Sequence, residues 1–102
     1  MDVLARIKRC ALVGRVRFTY KATEERTFDG LSELEILESP VNAVRIDNTL
    51  RSTSRFRGHR RDCLYVIKSS TVAGVLVFTK GKLVDESGEE IYYLLVSAKL
   101  AT

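Results

Sequence analysis

Near Ala43 the hydrophobic period of this chain changes for the rest of its length, and that change limits the folds open to it. Before it, apolar residues recur every three or four positions; after it, every second position. Val3, Leu4, Ile7, Cys10 and Ala11 predict a helix over residues 2–13, with Arg6, Lys8 and Arg9 on its remaining surface. Asp2 can cap its start and Gly14 can take the left-handed position at its end. Residues 15–19 alternate, with Val16 and Phe18 on one side, and fit a short strand, an extended link or the lead-in to a helix. Residues 20–28 predict a second, short helix, and Asp29-Gly30 a turn. Ser32-Glu33-Leu34-Glu35 is a capping box that starts a third, with Leu31 stapled onto Ile36. Leu34, Leu37 and Val41 are its expected inner face, and Pro40 is expected to end or kink it.

From residue 43 to 50 the alternation predicts a strand. Cys63–Lys68, rich in β formers, predicts another, and Val75–Thr79 a third. Lys80-Gly81-Lys82 is expected to bend or bulge this strand before Leu83-Val84. Residues 85–88 read as a hairpin turn and Ile91–Lys99 as the last strand. In that strand Tyr92, Leu94, Val96 and Ala98 are the candidate helix-facing set and Ile91, Tyr93, Leu95, Ser97 and Lys99 the open set; both begin apolar, so the reverse assignment stays open. The prediction is an α+β fold: two to three N-terminal helices packed on a C-terminal antiparallel sheet of about four strands. At 102 residues it is one domain spanning 1–102.

Charge divides the chain. Residues 22–48 carry Glu24, Glu25, Asp29, Glu33, Glu35, Glu38 and Asp47 against Arg26 and Arg45 alone, although the net charge is +4. The basic extreme lies between the two halves, where Arg51, Arg55, Arg57, Arg60 and Arg61 surround Phe56 and the single histidine, His59. Such a loop suits a phosphate backbone, and a basic face speeds encounter with polyanions. No apolar run approaches the ~20 residues of a membrane span, so no membrane partner and a cytoplasmic location are expected. Cys10 and Cys63 read as thiols in a reducing compartment; with one histidine they do not make a metal site, and no cofactor is expected.

No nucleophile motif and no phosphate-cradling glycine loop is present. The residues left to do chemistry are cations and tyrosines: Arg51, His59, Tyr65, Lys80, Lys82, Tyr93 and Lys99. Metal-free RNA cleavage needs a base near the 2′-hydroxyl, a cation at the scissile phosphate and a proton donor for the leaving oxygen. Lysine or histidine can be the base; arginine can only stabilise charge. Each residue also has a plainer role, the arginines as a solvated loop, the tyrosines as cross-strand packing, Lys80 and Lys82 as a solvated bend.

Val13-Gly-Arg-Val-Arg-Phe-Thr19, Leu64-Tyr65-Val-Ile-Lys68 and Leu95-Val-Ser-Ala-Lys99 are similar to segments of RelE-superfamily toxins of bacterial toxin–antitoxin pairs, most closely the MqsR-like branch. The resemblance is gappy, and an extra hairpin is expected around residues 75–84 relative to it. It implies a metal-independent endoribonuclease, an mRNA interferase, neutralised by an antitoxin from a neighbouring gene. It puts the family's strand tyrosine at Tyr65 and its near-terminal lysine at Lys99; Arg51 is the cation nearest the family's remaining lysine. On this expectation Tyr65, Lys99, Arg51, His59, Lys80 and Lys82 are catalytic candidates, and Arg55, Arg57, Arg60, Arg61 and Tyr93 bind RNA. A homo-oligomer is compatible with it. The alternatives are a non-catalytic RNA- or DNA-binding module and a structural protein-interaction domain docking through the acidic segment 32–39.

Overall fold

A computed structural model of the chain describes residues 2–51, 63–86 and 89–101, with the backbone alone for 86 and 89–91. Helix α1 (Val3–Val13) starts at Asp2, whose carboxylate accepts from the Ala5 amide at 2.8 Å, and ends at Gly14, left-handed at φ 79°. Helix α2 (Tyr20–Phe28) is capped by Thr19, whose hydroxyl accepts from the Ala22 amide. Helix α3 (Glu33–Asn42) carries the full capping box: Glu35 N–H donates to Ser32 Oγ, and Ser32 N–H to Glu35 Oε1. Each cap satisfies amides that have no partner within the helix.

The strands are β1 (Val16–Phe18), β2 (Asn48–Arg51), β3 (Cys63–Ser70), β4 (Leu76–Glu86) and β5 (Glu89–Leu100), ordered β1-β5-β4-β3-β2. The fold is α+β with the helices in the N-terminal half. The sheet has one strand more than predicted and is mixed: β1 runs parallel to β5, with Val16 opposite Tyr93 and Phe18 opposite Leu95, while all other pairs are antiparallel. Of the assignments open to residues 15–19 the strand is realised. It gives β5 a second partner, and the Tyr93 and Thr19 amides donate to the Arg15 and Leu95 carbonyls at 2.9 and 3.0 Å. The strand predicted over 43–50 begins only at Asn48, because Ala43 closes α3 and is itself buried.

The core lies between the helices and one sheet face. It joins Ile7 and Cys10 of α1, Ala22 of α2, Leu31 and Ile36 about α3, and Ile67, Val77, Tyr93, Leu95 and Ala98 of the sheet. Each large apolar side chain removed from water here stabilises by roughly 1.5–3 kcal/mol.

The structure corrects two expectations about which side is inside. In α3 the buried residues are Ile36, Ser39 and Pro40, and Leu34 is 68% exposed. Pro40 does not end the helix, which runs on to Asn42. Its missing N–H falls in the last turn, and the end is held from outside: Lys8 Nζ donates to the Val41 carbonyl, Ser39 Oγ to Ser69 and Asn42 Nδ2 to Ser70. In β5, Tyr93 and Leu95 face the core rather than Tyr92 and Leu94. Both sets are apolar, so alternation alone did not decide between them. Gly81 does: a Cβ there would come within 2.8 Å of the Tyr93 ring and 2.7 Å of the Leu94 carbonyl. The large ring therefore lies over an interior strand position that has no side chain.

Candidate nucleic-acid interface

The sheet face away from the helices collects cations and rings. Its layout follows from the strand register. Lys68 lies opposite Phe78, and Phe78 opposite Lys99, a row across three strands. Lys80 lies beside Val66. Lys82 lies opposite Leu94, which in turn lies opposite Arg17 of β1, and Val84 lies opposite Tyr92. Directly opposed residues on one face are about 5 Å apart at Cβ, so each row is a continuous surface. Two of its cations sit over rings: the Arg17 guanidinium is 4.3 Å from the Tyr92 centroid and the Lys99 ammonium 5.5 Å from that of Phe78. At the ends of the face stand two carboxylates, Asp85 toward the hairpin and Asp47, which accepts from the Lys68 amide.

Lys99 reaches this face because β5 is irregular. Gly81 pairs with Leu95 but Lys80 with Ser97, so Val96 is an extra residue and the strand bulges there. Before the bulge the odd-numbered residues Tyr93 and Leu95 point inward; after it Ala98 and Leu100 do, opposite Thr79 and Val77. The irregularity expected around Lys80–Lys82 is thus real, but its extra residue is on the neighbouring strand. The lysines belong to an interior strand, not to a bend at a sheet edge.

Carboxylates at the end of α2 hold the bulge and the strand beyond it. Ser97 Oγ donates to Glu25 Oε1 at 2.6 Å and the Ala98 amide to the same oxygen at 3.0 Å; the Leu100 amide donates to Asp29 Oδ2 at 2.8 Å. Burial works against the charged form of Glu25, but the Ser97 hydroxyl, the Ala98 amide, and then Lys21 and Lys99 outweigh it and lower its pKa below the ordinary carboxylate value.

The sequence-derived candidates separate into three groups. Lys80, Lys82 and Lys99 share the open face. Tyr65 lies opposite Gly81 on the helix side, half-buried, and Arg51 lies on that same side, exposed at the sheet edge opposite Cys63. Burial raises the Tyr65 pKa, as do the neighbouring charge of Cys63 and its hydrogen bond, with Arg6 acting in the opposite sense. Tyr93, expected to bind RNA, is 0% exposed; no base can stack on it. Burial first, then Tyr65 and Cys10, raises its pKa, and its hydroxyl finds no hydrogen-bond partner among the described residues. Arg55, Arg57, His59, Arg60 and Arg61 lie outside the described residues.

Sequence reasoning missed Arg17, Lys68, Phe78 and Tyr92. A signal existed for part of the set: Phe78, Lys80 and Lys82 stand at every second position of one strand. Past Tyr92 the positive surface turns the sheet edge. A cleft of about 220 Å³ is lined by Gly14, Arg15, Val16, Arg17 and Tyr92, and one of about 400 Å³ by Arg9, Cys10, Val13 and Arg15.

Among the described residues, no three His, Cys, Asp or Glu side chains are grouped to hold a metal ion, and no helix is long and apolar enough to cross a membrane. Compared with family models, curated proteins and solved structures, the chain matches none.

Proposed function

We propose that the chain binds single-stranded RNA across the open face of its sheet. The observation that carries this reading is the convergence of Arg17, Lys68, Lys80, Lys82 and Lys99 with Phe78 and Tyr92 on that face. Lysines and arginines attract the phosphates, and rings in a sheet offer platforms for unpaired bases. Single strands fit better than duplex because a base must be free to lie on a ring. Cleavage, the activity implied by the resemblance to RelE-like toxins, would fall to Lys80, Lys82 and Lys99, the catalytic candidates that share this face. Tyr65 is across the sheet from them and would not reach the same phosphate. The acidic docking surface loses support: Glu33 pairs with Arg26 at 3.3 Å, Glu35 closes the capping box and Glu38 accepts from the Val72 amide.

Fluorescence anisotropy with labelled RNA, DNA and duplex in EDTA tests the reading. Binding of single strands is expected to weaken steeply between 50 and 200 mM salt, with a log–log slope of about −3 if four to five phosphates are engaged at ~0.7 each. Salt-independent binding, or none at low salt, overturns it. Running the same samples on a gel separates cleavage from binding alone. Metal-free cleavage lost in Lys99→Ala supports the nuclease; intact RNA leaves a binding module.

A further inference from the structure

We propose that Glu25 and Asp29 are positioning residues for Lys99, a role that rests on the RNA-binding reading of the open face. Without an extra residue at Val96, strict alternation would put Lys99 on the same side as Tyr93 and Leu95, against the helices. The bulge reverses the parity and presents Lys99 beside Phe78. Strand β1 ends at Phe18, opposite Leu95, so beyond the bulge the amides on that edge of β5 have no strand partner, and here the partners come from the end of α2. One oxygen of Glu25 takes both Ser97 Oγ and the Ala98 amide, and Asp29 takes the Leu100 amide. These anchors lie immediately before and after Lys99. Glu25 lies in the last turn of α2 and Asp29 is its C-cap residue, four positions on, so the end of one helix grips both sides of the residue. Capping α2 or packing its single buried residue, Ala22, would require neither contact.

The test is a double-mutant cycle with two readouts. In the free protein, an NOE between the Lys99 side chain and the Phe78 ring reports the parity of the strand. It is expected in the unaltered protein, reduced in Glu25→Gln, which keeps an accepting oxygen but loses the charge, and absent in Glu25→Ala. In RNA binding, Glu25→Ala is expected to weaken affinity about as much as Lys99→Ala, roughly 3- to 10-fold, and to lower the salt slope by about 0.7, one phosphate contact on a single strand. Adding Glu25→Ala to Lys99→Ala should cost no further affinity, although thermal stability falls equally in both backgrounds. An undiminished NOE in Glu25→Ala, or a full further loss of affinity in the Lys99→Ala background, overturns the positioning role. Should Glu25→Ala fail to fold, Glu25→Gln decides by the same two measurements. If the unaltered protein binds no RNA, the RNA-binding reading fails, and the NOE series still decides whether these carboxylates set the side on which Lys99 lies.

Discussion

The carboxylates of the helical half and the cations of the open sheet face are both conspicuous in the sequence, yet they are used in opposite ways. Most of the acids are tied to partners within the fold, and Glu24 is exposed. Glu25 and Asp29 hold the end of β5, Glu38 holds the turn after β3, Asp47 accepts from the Lys68 amide, and Glu33 and Glu35 serve Arg26 and the α3 cap. On the sheet, Arg17, Lys68 and Lys99 are exposed, and Lys68 and Lys80 form no ion pair among the described residues. A charge with a fixed internal partner fastens the fold; a charge left facing water is available to a ligand. The charge distribution along the sequence describes a molecule with an acidic and a basic face, whereas the structure describes one with fasteners and a binding surface.

If that division holds, the two regions respond to mutation in different measurements. The largest effect is expected for Lys80→Ala/Lys82→Ala/Lys99→Ala together, which should weaken RNA binding by ~10²-fold or more in anisotropy titrations, about 3 kcal/mol, with little change in melting temperature. A comparable fall in melting temperature would mean that these lysines fasten the fold too. Gly81→Ala tests the ground beneath both regions. Its new Cβ would meet the Tyr93 ring and the Leu94 carbonyl, so urea unfolding should show a loss of about 1–3 kcal/mol. Phe78→Ala should reduce affinity by roughly 1–2 kcal/mol, most clearly on short oligonucleotides, because a stacking platform is removed. Ser32→Ala breaks the α3 capping box and should lower stability by about 1 kcal/mol in denaturant melts while RNA affinity is unchanged.

The smallest effect is that of pH. The pKa of Glu25 is lower in the folded than in the unfolded chain, so the folded state favours its ionised form. That contribution is fully present above the unfolded carboxylate value and is lost as pH falls through the folded one. Thermal melts from pH 6 downward should therefore show a decline through the carboxylate range that is shallower in Glu25→Gln. Equal declines in the two proteins would remove Glu25 from the set of fasteners.

The helix ends were legible because their determinants are local. Asp2, Gly14 and the Ser32–Glu35 box act within a few residues, and each does in the fold what its chemistry predicts. Thr19 was a cap in plain view, obscured by the alternation of the residues before it. The strands after Asn48 were legible from their period, and the disturbance near Gly81 from two lysines flanking a glycine. Leu34 was misplaced because α3 turns Ile36, Ser39 and Pro40 inward, a face that includes a polar residue and so is not marked by apolar spacing. Of the candidate site, Lys80 and Lys82 were visible as neighbours, but neither Arg17 nor Phe78 had any local reason to be joined with Lys99.

By itself the sequence determined that two to three helices precede a run of about four strands, where most of those helices start and stop, and that basic residues are plentiful in and around the strands. Only the tertiary structure decided that β1 lies parallel to β5, that Tyr93 is inside and Tyr92 outside, and that Lys99 stands on the same face as Lys80. The physical reason is range. Caps and periods are satisfied by atoms a few residues apart, whereas a strand's facing side is settled by register, and register here depends on Glu25 meeting Ser97 and Gly81 meeting Tyr93.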